Sequence, residues 1–130
     1  RPTITRVRFG ESSYTGAVAI TVEVTWDEKL KYVAGTAGTL AVVSTGTNIT
    51  CTATHIDGVS ITDGLQGNTV RFTGTTVDQN ATLSIADDTV IGDPDLKSID
   101  TSTALNAASK TITAAVKTAS GYSTRTVTAS

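Results

Sequence analysis

Aromatic residues make up only 5% of this 130-residue chain, so its core cannot be assembled around large rings. Val, Ile, Leu and Ala must fill it instead. Cys51 is the only cysteine, which excludes an internal disulfide and leaves the fold to stand on burial and hydrogen bonds. Its plain reading is a small buried hydrophobe, with a reactive thiol as the alternative. Charge is sparse as well: 17% of residues are charged, and ten basic against twelve acidic side chains leave a net charge of −2. The nearest thing to a basic cluster is Arg6 with Arg8, so no electrostatic case exists for binding nucleic acid. No apolar run approaches the roughly 18–20 residues that span a bilayer, and no signal-peptide core is present. Methionine is absent and the chain begins at Arg1. That pattern is expected of a processed chain or a segment of a longer one, and equally of a chosen boundary.

Threonine is what the chain has in excess, at 27 residues or about a fifth of the total. Its β-branched side chain is stiff and suits a pleated, half-exposed surface, so the loading favours sheet over helix. The strongest local signal agrees. Val18, Ile20, Val22, Val24 and Trp26 are apolar at every second position, with Ala19, Thr21, Glu23 and Thr25 between them. Side chains on a strand alternate faces, so this is one strand with a buried side and a wet side.

The same rhythm covers most of the chain. Residues 2–9 read as an edge strand, 10–16 as a turn and 17–26 as the main strand. After the polar break at 27–29, a short strand is expected at 30–34 and another at 39–44. Residues 48–56 alternate Ile49, Cys51, Ala53 and His55 against Thr50, Thr52 and Thr54. Strands are expected again at 69–77 with Val70 and Phe72 inward, at 81–86 with Leu83 and Ile85 inward, and at 110–117 with Ile112, Ala114 and Val116 inward. Residues 87–108 hold five Asp and one Pro without a lasting period, which predicts a long loop with a helical turn near 102–108. Seven to nine short strands predict an all-β fold, an antiparallel immunoglobulin-like sandwich. One domain of residues 1–120 is expected, with 121–130 as a last strand or as an exit and assembly segment.

Three stretches carry a resemblance to a known family. PTITRVRF at residues 2–9, ITVEVTWDEKLKYVAG at 20–35 and GTLAVV at 38–43 resemble the opening strands of bacterial and phage immunoglobulin-like (cadherin-like) repeats. LSIADDTV at 83–90 and SIDTSTALNAA at 98–108 are loosely similar to later parts of such repeats. The likeness covers most of the chain and is specific in its first third. It departs where the family's terminal D-x-x-G-N turn would sit, because Ala107 and Ala108 follow Asn106. The resemblance implies a non-enzymatic module displayed on cell surfaces, tails or capsids.

The candidate sites are few. Asp87, Asp88, Asp93 and Asp95, with Asp100 beyond them, form the best one, because carboxylates and loop carbonyls are what Ca²⁺ takes. Their spacing is not that of an EF-hand, and a solvated loop with turn-capping Asp residues is the competing reading. Calcium is thus the one cofactor to consider; no other is expected. His55 is the sole histidine; with Cys51 it supplies two ligands on one strand, short of a tetrahedral metal site. No nucleophile stands in a motif with an oriented base, so no enzyme is expected. Asn48 and Asn80 head N-x-T acceptor patterns, and Trp26 and Tyr32 are candidate carbohydrate-stacking platforms with core packing as the rival role for Trp26.

The expected function is that of a structural and interaction module in a larger assembly, such as a capsid decoration or tail protein of a phage virion. The alternatives are a repeat of a bacterial adhesin or surface-layer protein, and a carbohydrate-binding module. Extracellular or virion-surface location, partners among homotypic or capsid and tail subunits or surface glycans, and no membrane insertion follow from that reading. A last expectation is that one terminal segment lies as a sheet edge against a neighbouring subunit, the C-terminal one, with only Arg125 as a gatekeeper, ahead of the N-terminal one with Pro2, Arg6 and Arg8.

Overall fold

The computed structural model describes residues 2–33, 35–36, 38–75, 78–92, 94–99, 103–121 and 124–128. Among them run twelve strands: β1 (Ile4–Phe9), β2 (Ser13–Thr15), β3 (Ala19–Tyr32), β4 (Thr39–Ser44), β5 (Ile49–Ile56), β6 (Val59–Ser60), β7 (Gln66–Thr75), β8 (Ala81–Ser84), β9 (Thr89–Val90), β10 (Leu96–Ser98), β11 (Thr111–Ile112) and β12 (Thr124–Thr128). One helix, α1 (Ala114–Ser120), interrupts them, and a 3₁₀ turn spans Ala107–Lys110. The protein is all-β.

Ten strands form one sheet in the order β1-β3-β7-β5-β4-β8-β12-β2, with β10 added to β3 and β6 to β5. The sheet turns its corner at β4, whose Thr39–Val42 pair with β5 and whose Val43 and Ser44 pair with β8. The pairing is antiparallel except between β12 and β2, which run parallel and make the sheet mixed. Curling brings the ends together: the rings of Phe9 and Tyr14 meet edge-on at 6.5 Å, and the Tyr14 hydroxyl donates to the Thr21 carbonyl.

Alternation along β3 builds the centre of the core. Ile20, Val22, Val24 and Trp26 are each at most 1% exposed. Phe72 from β7 stands beside Val22 in the sheet, and Leu83 from β8, Ile85 and Ile112 belong to the same core. Val18 stands apart: it precedes the strand and is exposed, not buried. The triplet 27–29 does not end the strand. There β3 advances from Thr25 to Leu30 while β7 advances only from Thr69 to Gly67, so the polar residues are absorbed as a bulge and Leu30 re-enters the core.

Other departures have local causes. Tyr14 turns residues 13–15 from turn into strand by burying its ring. Residues 87–108 are not one loop, because Ile91, Leu96 and Leu105 drop into the core and hold β9 and β10. The stretch expected as a strand at 110–117 is mostly helix. Thr113 caps it by accepting from the Val116 amide, Ala114 and Ala115 favour it, and Gly121 at φ 71° ends it. Ala114 is therefore exposed. Gly74 has a different purpose. A Cβ there would lie 2.8 Å from Cys51 Sγ, so only glycine lets β7 approach β5 so closely.

Trp26 ties β3 to the 3₁₀ turn, its indole Nε1 donating to the Ser109 carbonyl at 2.8 Å. Trp26→Phe keeps most of the ring and strands that buried carbonyl. The expected loss is about 1–3 kcal/mol in urea denaturation; an unchanged midpoint would mean that the bond contributes nothing.

Candidate interaction surface

The outer face of the large sheet is ordered by register. Thr21 of β3 lies opposite Thr73 of β7, Thr73 opposite Thr52 of β5, and Thr52 opposite Thr39 of β4. One row of threonines thus crosses four strands. A charged row runs beside it: Arg8 of β1 faces Glu23, Glu23 faces Arg71, and Arg71 faces His55. Arg71 Nε sits 3.7 Å from Glu23 Oε2 with both side chains about one-third exposed, so the pair adds little to stability. Beyond it Thr25 and Thr69 share a hydroxyl contact of 3.1 Å, as Thr54 and Thr73 do at 3.0 Å. The face is polar and rich in threonine.

Single-strand periodicity could not align this row, because the strands that compose it are distant in sequence. Its one legible signal is the count of threonines at alternate positions.

The residues singled out from the sequence are placed apart. Asp87 Oδ1 takes a hydrogen bond from Lys117 Nζ at 2.7 Å. Asp88 occupies a left-handed turn at φ 60°, its amide donating to the Ile112 carbonyl. Asp95 accepts from the Thr36 amide at its carboxylate and from the Val33 amide at its backbone carbonyl. Asp93 and Asp100 lie outside the described residues. Among the described residues no three His, Cys, Asp or Glu side chains gather as a metal site. With Asp87 held by Lys117 and Asp95 by the Thr36 amide, neither EDTA nor added Ca²⁺ is expected to move the melting temperature. A rise that tracks Ca²⁺ would mean that the ion draws these carboxylates from their present partners.

Cys51 and His55 are separated by a bulge. The register of β5 against β7 shifts between Ala53 and His55, so Ile56 takes the next inward place and His55 turns outward, half-buried, with Nδ1 2.9 Å from Thr54 Oγ1. The inward row expected through His55 ends at Ala53. Cys51 stays in the core, where burial pushes its thiol up to about 11. The native thiol keeps its proton when the unfolded chain, titrating near 9, has lost its own. Stability should then fall as pH rises from about 9 towards 11. Native protein should also resist iodoacetamide at pH 8 and react once unfolded; rapid native alkylation would overturn this.

Trp26 is fully buried and offers no stacking platform. Tyr32 is half-buried and its hydroxyl is engaged with the backbone of Gly35. Asn48 turns its side-chain oxygen to the Ser44 amide at 3.0 Å, and Asn80 is exposed at φ 58°.

The expected C-terminal edge is not an edge. Residues 124–128 form β12, which pairs with β8 on one side and β2 on the other. The ends of the sheet are β1 and the three-residue β2. Short edge strands limit unwanted pairing. Comparison with family models, with curated proteins and with solved structures finds no match to this chain.

Proposed function

We propose that the chain is a non-catalytic structural and interaction module, an immunoglobulin-like sandwich built into a larger protein assembly, with a phage virion as its setting. The observation that carries the proposal is the threonine row from Thr21 to Thr39 across four strands. Threonine is short and stiff, so fixing it against a partner costs little entropy, while its hydroxyl both donates and accepts. A broad face of such side chains suits extended contact with another protein surface.

Strand order supports the fold within this reading. One run of the sheet is β1-β3-β7-β5 and the next is β4-β8-β12, with β2 as an adjunct to the last strand. Setting aside β2 and the short β6, β9, β10 and β11, these are the first, second, fifth and fourth strands, then the third, sixth and seventh. This order is in line with the ABED and CFG sheets of immunoglobulin domains and supports that reading of the mixed, curled ten-stranded sheet. The virion setting rests on the resemblance of residues 2–9, 20–35 and 38–43 to phage and bacterial repeats, since fold alone does not name a function.

The test is protein identification on gradient-purified particles from the source culture. The expected result is this chain co-sedimenting with capsid or tail proteins at a fixed ratio. Recovery only from the cell envelope, in tandem copies, would replace the virion reading with an adhesin.

A further inference from the structure

We infer that the outer edge of β1 is a strand-pairing site for an acidic extended segment, and that α1 is the displaceable cover over it. Among the described residues β1 ends the sheet and pairs with β3 alone. Gly10 donates to the Thr21 carbonyl, directly opposite it in the continued register. In an antiparallel ladder the bonded residues alternate, so Arg8 and Arg6 also turn their backbone groups to β3, whereas Val7 and Phe9 turn theirs away. The Val7 amide bears this out, since its acceptor is Ser120 Oγ on α1 at 3.0 Å. A helix side chain occupies the place that a neighbouring strand's carbonyl would take.

The cover is lightly held. It has seven residues, none of them buried. A helix of that length is marginal without packing. Its ion pair, Lys117 with Asp87, reaches a carboxylate that is 63% exposed. Of its apolar side chains Val116 packs half-buried against the core, so residues 113–121 can lift from β1 at the cost of that contact and not of any fully buried side chain.

Charge selects the occupant. Across the sheet Arg8, Glu23 and Arg71 alternate in sign along one row, and Arg6 faces Thr25 in the next. A strand added outside β1 continues both rows, and an acidic residue opposite Arg8 continues the alternation. Favoured partners therefore carry Asp or Glu at alternate positions. A second copy pairing β1 to β1 is disfavoured. Every two-fold register that keeps the arginines on the outer face and centres on residue 6, 7 or 8 sets Arg6 against Arg6, Arg6 against Arg8, or Arg8 against Arg8.

The probe is a capped peptide of sequence Thr-Val-Glu-Val-Glu-Val-Thr, with a control in which Lys replaces both Glu. Ala115 and Ala119 are exposed on α1, so the Ala115→Gly and Ala119→Gly double variant loosens the helix without removing a buried side chain. Hydrogen exchange at the Val7 amide should accelerate in this variant, and the acidic peptide should bind about fivefold or more tightly than to the parent chain, because the competent state is more populated. Bound peptide should re-protect the Val7 amide. Arg6→Glu should abolish the preference for Glu over Lys. Ser120→Ala, which removes only the hydroxyl, repeats the exchange and binding measurements if the double variant melts without cooperativity. Equal affinity in covered and loosened chains, or equal binding of the lysine control, would overturn the inference. Neither outcome bears on whether the chain sediments with particles, so the proposed function is tested separately.

Discussion

Val22→Asp should remove much or all of the stability of the native state at room temperature. Val22 is fully buried on β3, paired with Phe9 on one side and Phe72 on the other. A carboxylate there has no partner and must either lose its hydration or take up a proton. The cost is about 4–5 kcal/mol or more, the range reserved for unpaired charge in an apolar layer. Domains of this size hold only about 5–15 kcal/mol in total. Circular dichroism against urea should show either no cooperative transition or one moved to far lower denaturant. The neighbouring Glu23 gives the contrast. Its side chain is about one-third exposed beside Arg71, so Glu23→Gln should cost less than about 1 kcal/mol. If both substitutions cost the same, β3 does not present the face described for it.

Deletion of residues 122–130 should unfold the domain, not merely disable its association. Strand β12 is bonded to β8 through Thr124–Val127 and to β2 through Thr126–Thr128. Val127 is 2% exposed and belongs to the core. Arg125 Nε also reaches the Glu11 carbonyl, tying the end of the chain to its beginning. Removing the strand leaves two ladders open and a gap where Val127 packs, and a filled-to-empty core position alone costs about 1 kcal/mol or more. Calorimetry should show a broad transition or none. A truncated chain that still melts sharply would mean that β8 and β2 are held by other contacts, and would restore an associative role for the segment.

Much of the strand pattern was legible in the residues. The alternation of Ile20, Val22, Val24 and Trp26 marked β3 and its inward face, and residues 39–44 coincide with β4. Phe72, Leu83, Ile85 and Ile112 are all in the core as their positions implied. The helix α1 was legible in principle, since Thr113, Ala114, Ala115 and Gly121 are a cap, two strong helix formers and a stop. Alternation of Ile112, Ala114 and Val116 masked it, because alanine satisfies either period. Strand-length apolar signals in residues 87–108 were too short to read. Ile91 and Leu96 are single anchors whose burial depends on what lies beneath them.

What the sequence by itself determined is local: strand identity, the inward side of each strand and the threonine character of the outward side. These follow from a two-residue period that any stretch of backbone expresses without reference to the rest of the chain. Only the tertiary structure decided which strands are neighbours, where bulges at residues 25–30 and 53–55 reset the faces, and that Thr21, Thr73, Thr52 and Thr39 share a row. It also decided that β12 is internal and that α1 lies against β1. Pairing and register depend on contacts between residues far apart in the chain, and those contacts are chosen by the packing of the whole core, which no local pattern encodes.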